Sequence, residues 1–245
     1  PGPKLQKAFE KQCNCHVKFV PFEDGVTMFN RLRLEGKSPK ADVIIGLDNN
    51  LLSAAKKSDL FASTQIDISR LRLPIKWESQ TFIPYDYGQY AFIYDKTKLK
   101  TPPTSLKKLI ENEKLSVIYQ DPRTSTVGRG MLAWMNAVYP ENQVAAAWKQ
   151  LAKHTVTVGK GWSESYGAFL INEKKDNYVA ATFSEGHIVQ IELAAKLKAA
   201  KQPKLAEQFL AFLLSPEAQK TIALHNIMLP VTCFQTGKNF KSTTT

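Results

Sequence analysis

The 245 residues contain no uninterrupted apolar run of roughly eighteen residues, the length a membrane-spanning helix needs. The N-terminus also lacks the basic, apolar and small-residue layout of a secretory leader. Cysteine is scarce: Cys13, Cys15 and Cys233 are the three, and a Cys-X-Cys pair lacks the Cys-X-X-Cys spacing of zinc or thioredoxin-like sites. Four histidines, His16, His154, His187 and His225, are dispersed with no metal-ligand spacing, so neither a metal centre nor a cofactor is expected. No Walker or Rossmann glycine loop, G-X-S-X-G elbow or H-E-X-X-H helix is present, which removes the commonest nucleotide-binding and hydrolytic classes. Repeats at solenoid periods are also missing. A one-sign charge stripe is absent too, although 33 basic residues outnumber 22 acidic ones for a formal charge of +11. The basic residues are scattered as pairs such as Lys56-Lys57, Lys107-Lys108 and Lys174-Lys175 with acids close by, the pattern of a solvated surface and not of a nucleic-acid partner.

What is present suffices for a buried core: 43% of the residues are hydrophobic and 10% aromatic, in a length that fits one large domain or two small ones. KLQKAFEKQ at 4–12 has the spacing of an amphipathic helix, and HVKFVPF at 16–22 alternates as a half-buried strand. A second helix, VTMFNRLRLEG, stops at Gly36, and ADVIIGL at 41–47 reads as a strand buried on both faces before the helix LLSAAKKS. The aromatic stretch FIPYDYGQYAFIYD at 82–95 reads as two strands end to end. Alternation continues with the helix LKKLIENE, the buried strand LSVIYQD, helices from Gly128 and from Asn142, and the alternating strand TVTVGKGW. VAATFSEGHIVQIELAAKL reads as strand, turn and strand, and Pro203 and Pro216 each open a late helix. Such alternation predicts an α/β fold with a mainly parallel sheet.

Several strand-to-helix junctions carry candidate polar groups. In DPRTSTVGRG, Ser125 and Thr126 lie at the mouth of a helix, where free amides and the helix dipole favour an anion such as phosphate, with Arg123 as an added charge. A hydroxyl there is equally suited to capping the helix. Asp24 in FEDG and Asp48 in LDNN each follow a strand and precede a helix, so either caps its helix or points into a cleft.

Three segments, NRLRLEGKSPKADVIIGLDNNLL at 30–52, VIYQDPRTSTVGRGMLAWM at 117–135 and VTVGKGWSESYGAFL at 156–170, closely resemble the periplasmic thiamine-binding proteins, the solute-binding components of bacterial ABC importers. FIPYDYGQYAFIYDKTKLKTPPTSLKKL looks like that family's domain crossover, and KQPKLAEQFLAFLLSPEAQ like its late helices. The resemblance implies a two-lobed, type II periplasmic-binding-protein fold of the Venus-flytrap kind. Its lobes would be 1–83 plus 187–225 and 84–186 plus 226–245, with hinges at Phe82–Asp95 and Gly186–Glu192. It implies a periplasmic protein without catalysis that takes thiamine, thiamine phosphate and thiamine diphosphate in the cleft and delivers them to a membrane permease. The ligand-binding set implied is Asp24, Asp48, Ser125, Thr126 and Trp162, the last stacking on the ligand unless it is a plain core tryptophan. Tyr85 and Tyr87 serve either the hinge or the ligand.

The alternatives are a solute-binding protein for another phosphorylated or metal solute, and a thiamine-cleaving enzyme of the same fold with Cys233 or Cys15 as nucleophile. Oxidising surroundings would permit a small strained Cys13–Cys15 ring, leaving Cys233 unpaired. Relatives similar to this chain add a strand before Pro1 and a tyrosine-bearing strand between Glu173 and Lys174, and carry a tryptophan where Ile227 stands.

Overall fold

The computed structural model describes residues 1–169, 177–226 and 228–233. The junction of Glu173 with Lys174, and Ile227, lie outside those residues.

The main sheet is organised around one long strand, β8 (Val189–Leu197), which pairs antiparallel with β1 (Val43–Asp48), β2 (Phe61–Ala62) and β3 (Ile83–Gln89). A short β9 (Leu229–Pro230) closes the other side of β3, giving the order β1-β8-β3-β9. The sequence expectation of a mainly parallel sheet is therefore corrected. β1 and β3 do run in the same direction, but β8 returns between them and makes every ladder of this sheet antiparallel. Among the described residues only β5 (Val117–Gln120) and β6 (Thr155–Gly159) pair in parallel.

β8 sorts its side chains by the period of two that a strand imposes. Ile191, Leu193, Ala195 and Leu197 enter a cluster with Phe29 and Leu32 of α2 (Gly25–Glu35), Leu51, and Ala55 of α3 (Leu52–Ser58). Ala194 enters the opposite cluster, built from Leu5 and Phe9 of α1 (Gly2–Cys13), Phe209, Leu210 and Leu213 of α8 (Pro203–Leu213), and Ile222 of α9 (Pro216–His225). Both faces of the sheet are covered by helices, so apolar residues of β8 are buried on either side of it.

The second lobe has its own core. Leu106, Leu109 and Ile110 of α4 (Leu106–Glu111), Met131, Trp134 and Met135 of α5 (Thr126–Val138), and Leu151 of α6 (Glu141–Ala152) pack with Tyr90 and Phe183. β4 (Ile93–Asp95) and β7 (Tyr178–Ala180) pair beside it, and α7 (Trp162–Phe169) follows β6. The two strands expected in 82–95 are thus β3 and β4, and they belong to different sheets. The chain passes between lobes at Tyr90, whose N–H donates to Ile188 O (2.9 Å) just before β8.

Two sequence expectations differ from what is observed. Residues 16–22 alternate in burial, with Val17 and Phe19 packed on the core around α1 and α8 while Val20 is 64% exposed, but they form no ladder among the described residues. The period of a strand was visible; the neighbour that would make it one was not. The expected second lobe also included 226–245, yet Leu229 and Pro230 pair with Tyr87 and Asp86, and the N–H of buried Val231 donates to Gln219 Oε1 (2.8 Å). This stretch packs with the first sheet because α9 delivers it to the edge of β3, and residues 234–245 lie outside the described residues. Cys13 and Cys15 are joined in a disulfide.

Candidate ligand-binding cleft

Where the two lobes face each other, the residues that meet sit at helix starts. On the first lobe Asp24 caps α2, its Oδ1 accepting from Val26 N (3.0 Å). The same oxygen accepts from Thr126 N (2.9 Å) at the start of α5 on the second lobe. Gly25 is small for a reason: a Cβ there would stand 2.3 Å from Gly46 O and 3.0 Å from Thr126 Cγ2.

On the second lobe Ser125 caps α5, accepting from Gly128 N (3.1 Å) while its hydroxyl donates to Gln120 Oε1 at the end of β5. Ser125 is fully buried and Thr126 nearly so. The amides of Thr126 and Gly128 at this helix mouth are therefore satisfied by the protein's own oxygens. Arg123 is tied to Asp121, its Nη2 2.6 Å from Asp121 Oδ2, and this pairing holds the Asp121 carboxyl below the usual range. Thr124 Oγ1 donates to Lys160 O (2.6 Å) and Asp121 N to Gly159 O (2.8 Å), so the loops before α5 and α7 form one unit.

That unit brings Trp162 to the cleft. Gly161 lies against Asp24, with its notional Cβ 3.4 Å from Asp24 Cβ, and Trp162 opens α7 immediately after it. The indole is 48% exposed, which removes the reading of a plain core tryptophan. Tyr166, one helical turn on, stacks with it at 4.5 Å between ring centroids and 13° between planes. Asp24, Thr126 and Trp162 are thereby neighbours, although 102 residues separate the first two.

Asp48 lies deeper, at the end of β1, and is fully buried. Its carboxylate accepts from Asn50 N (2.9 Å), Leu51 N (3.2 Å), Gln190 Nε2 (3.1 Å) and Tyr90 OH (3.3 Å), and Asn50 Nδ2 also donates to Tyr90 OH (2.9 Å). Burial pushes the pKa of Asp48 up, and these hydrogen bonds pull it back. Tyr90 lies with its ring in the second-lobe core and its hydroxyl in this first-lobe network, so Asp48 acts as a hub of the hinge. Gly130 of α5 makes room for that ring, since a Cβ there would lie 2.4 Å from Tyr90 Cζ. Asp48→Ala strands several buried donors and is expected to cost about 3 kcal/mol of stability. Urea denaturation checks this, with Asp48→Asn, which keeps one acceptor oxygen, expected to cost less.

Of the candidates from sequence, Asp24 and Thr126 meet directly, Trp162 follows the glycine that lies against Asp24, and Ser125 supports them from behind. Asp48 belongs to the hinge network. Tyr85 is buried among α8 and α9, and Tyr87 packs against the α2 side of the sheet. Sequence reasoning missed Tyr90, Asn50, Gln190 and Tyr166. Only Tyr166 had an available signal, its four-residue helical spacing from Trp162. Cys15 is in the disulfide, and exposed Cys233 lines a separate groove with Arg72, Lys204 and Pro216.

The family model for bacterial extracellular solute-binding proteins matches residues 3–220. The chain belongs to that family. Among its relatives, the thiamine-binding periplasmic protein of Haemophilus influenzae is 54% identical across 94% of this chain and 75% of that protein. The thiamine-binding periplasmic protein of Escherichia coli is 53% identical across 94% of this chain and 76% of that one. A solved periplasmic thiamin binding protein superposes with a TM-score of 0.93 at 51% identity, covering 99% of this chain and 82% of that chain. The solute-binding fold itself extends further, to a periplasmic binding protein from Actinobacillus pleuropneumoniae at a TM-score of 0.80 and 19% identity, covering 94% of this chain and 81% of that one. The α/β, two-lobed type II architecture of this family is the one described above.

Proposed function

We propose that this chain is a periplasmic thiamine-binding protein of a bacterial ABC importer, which captures thiamine between its lobes and releases it unaltered to a membrane permease. The observation that carries the reading is the half-exposed indole of Trp162, stacked on one side by Tyr166 and set beside the point where Asp24 meets Thr126. Thiamine joins a permanently cationic thiazolium to an aminopyrimidine, so an open indole face suits it, and among the described residues no lysine or arginine pairs with the nearby Asp24 carboxylate. Relatives of 42 to 54% identity with thiamine in their names support the same ligand.

Asp24, Asp48, Ser125, Thr126 and Trp162 form the proposed site, with unequal parts. Trp162 touches the ligand; Asp24 and Thr126 border it; Asp48 and Ser125 hold the walls. Thiamine phosphate and thiamine diphosphate enter the same cleft with their anionic end towards the start of α5, where they must share or displace the position that Asp24 takes. The proposed lobes follow the two cores, with Tyr90 and Ile188 as the crossing points. Among the described residues the site holds no nucleophile beside a base, and the free thiol of Cys233 lies in a different groove, so binding without turnover is the favoured reading over thiamine cleavage.

Cation–π and stacking contacts contribute about 0.5–2 kcal/mol each, so Trp162→Ala is expected to raise the Kd for thiamine by roughly 3- to 30-fold. Calorimetric titration of both forms checks this. An unchanged Kd removes Trp162 from the site.

A further inference from the structure

One carboxylate oxygen in this protein serves the N-termini of two helices that belong to different lobes. Asp24 Oδ1 takes Val26 N of α2 at 3.0 Å and Thr126 N of α5 at 2.9 Å. Both helices exceed two turns, so both direct a positive dipole end at it. Asp24 is 9% exposed, and no cationic side chain pairs with it among the described residues. Charge-assisted hydrogen bonds of this kind are stronger than neutral ones. The surroundings permit the close approach: glycines flank the contact on either lobe, Gly25 beneath Thr126 Cγ2 and Gly161 beside the Asp24 side chain.

We infer that Asp24 is a positioning residue that latches the two lobes at their closed spacing by offering its carboxylate as the N-terminal anion of α5. It acts on the ligand through the position of the walls. The latch deepens the cleft reading above but does not depend on thiamine being the solute. Opening the cleft frees Thr126 N and leaves Asp24 as an ordinary cap of α2, so the contact favours closure while leaving the first lobe intact.

Substitutions separate the two jobs of the side chain. Asp24→Ser keeps a good cap for Val26 N but is too short to span to Thr126, whereas Asp24→Asn keeps an acceptor oxygen at the same reach. The measurement is the distance between spin labels at Lys37→Cys and Gln143→Cys, exposed positions on opposite lobes, in a Cys233→Ser background without thiamine. The expected result is a closed-to-open ratio at least about tenfold lower for Asp24→Ser than for the parent, with Asp24→Asn restoring most of it. Thermal melts of each variant confirm that the lobes remain folded. An unchanged ratio in Asp24→Ser, or equal opening in Asp24→Ser and Asp24→Asn, overturns the latch. Failure of the thiamine reading shows separately, as a parent protein that does not bind thiamine.

Discussion

Gly25→Ala is expected to lower the melting temperature by roughly 5–10 °C and to weaken thiamine capture at the same time. The added methyl group meets the backbone carbonyl of Gly46 at 2.3 Å, and a backbone atom of the paired strand β1 cannot rotate aside as a side chain can. Relief requires α2 to lift from β1, which disrupts the packing of Val26 and Phe29 on the sheet and draws Asp24 away from Thr126. Overpacking of a well-filled site costs about 1–3 kcal/mol, and here the strain falls on the contact between lobes as well as on the core. A thermal melt and a calorimetric titration of the variant provide the check. Wild-type values in both would mean that α2 is not seated on β1 as described.

The second large effect is on pH dependence, through a buried pair of acids in the hinge strands. Asp86 of β3 stands opposite Glu192 of β8, and Asp86 is fully buried. Asn226 Nδ2 donates to Asp86 Oδ2 (2.6 Å) and to Glu192 Oε2 (3.2 Å), but Asp86 Oδ1 meets no amide, hydroxyl or cationic donor. Burial first, and the charge of Glu192 second, push the Asp86 pKa well above its ordinary value. Burial also raises Glu192, and hydrogen bonds from Asp86, Tyr85 and Asn226 pull it back. The native protein therefore binds more protons than the unfolded chain at pH values above the unfolded Asp value of about 3.9. Stability from Asp86 is full below that value and is lost as pH rises towards the raised native pKa.

Asp86→Asn supplies a permanent N–H towards Glu192 and retains an oxygen for Asn226. It is expected to raise the melting temperature above neutral pH by several degrees, about 1–3 kcal/mol, and to flatten the decline with pH. Melts of parent and variant from pH 5 to pH 9 check this. A variant curve that falls in parallel with the parent would show that the pair is not the source. Asp48, also raised by burial, contributes a residual slope of the same sign.

The sequence made the repeating strand-and-helix order legible because amphipathic helices and apolar strands carry their periods locally. It could not show that β8 runs antiparallel between β1 and β3, since strand direction depends on where the chain returns and not on the residues within the strand. The pattern of 16–22 has a strand's alternation, but pairing needs a neighbour that periodicity does not reveal. Asp24, Ser125 and Thr126 were readable as polar groups at helix starts, with capping and ligand roles left open. The structure assigns capping to Asp24 and Ser125 and shows that the Asp24 cap also crosses between lobes. Tyr90 was hidden among the aromatics of the crossover. Only the fold shows that its ring and its hydroxyl serve different lobes. Trp162 stood out as the clearest aromatic candidate, and its exposure separates it from the buried Trp134.

Calorimetric titration of thiamine into the purified protein, with recovery of the solute afterwards, tests the central claim most directly. Saturable one-to-one binding at micromolar concentration or below is expected, with thiamine returned chemically intact. Absence of binding, or recovery of separated pyrimidine and thiazole fragments, would contradict it.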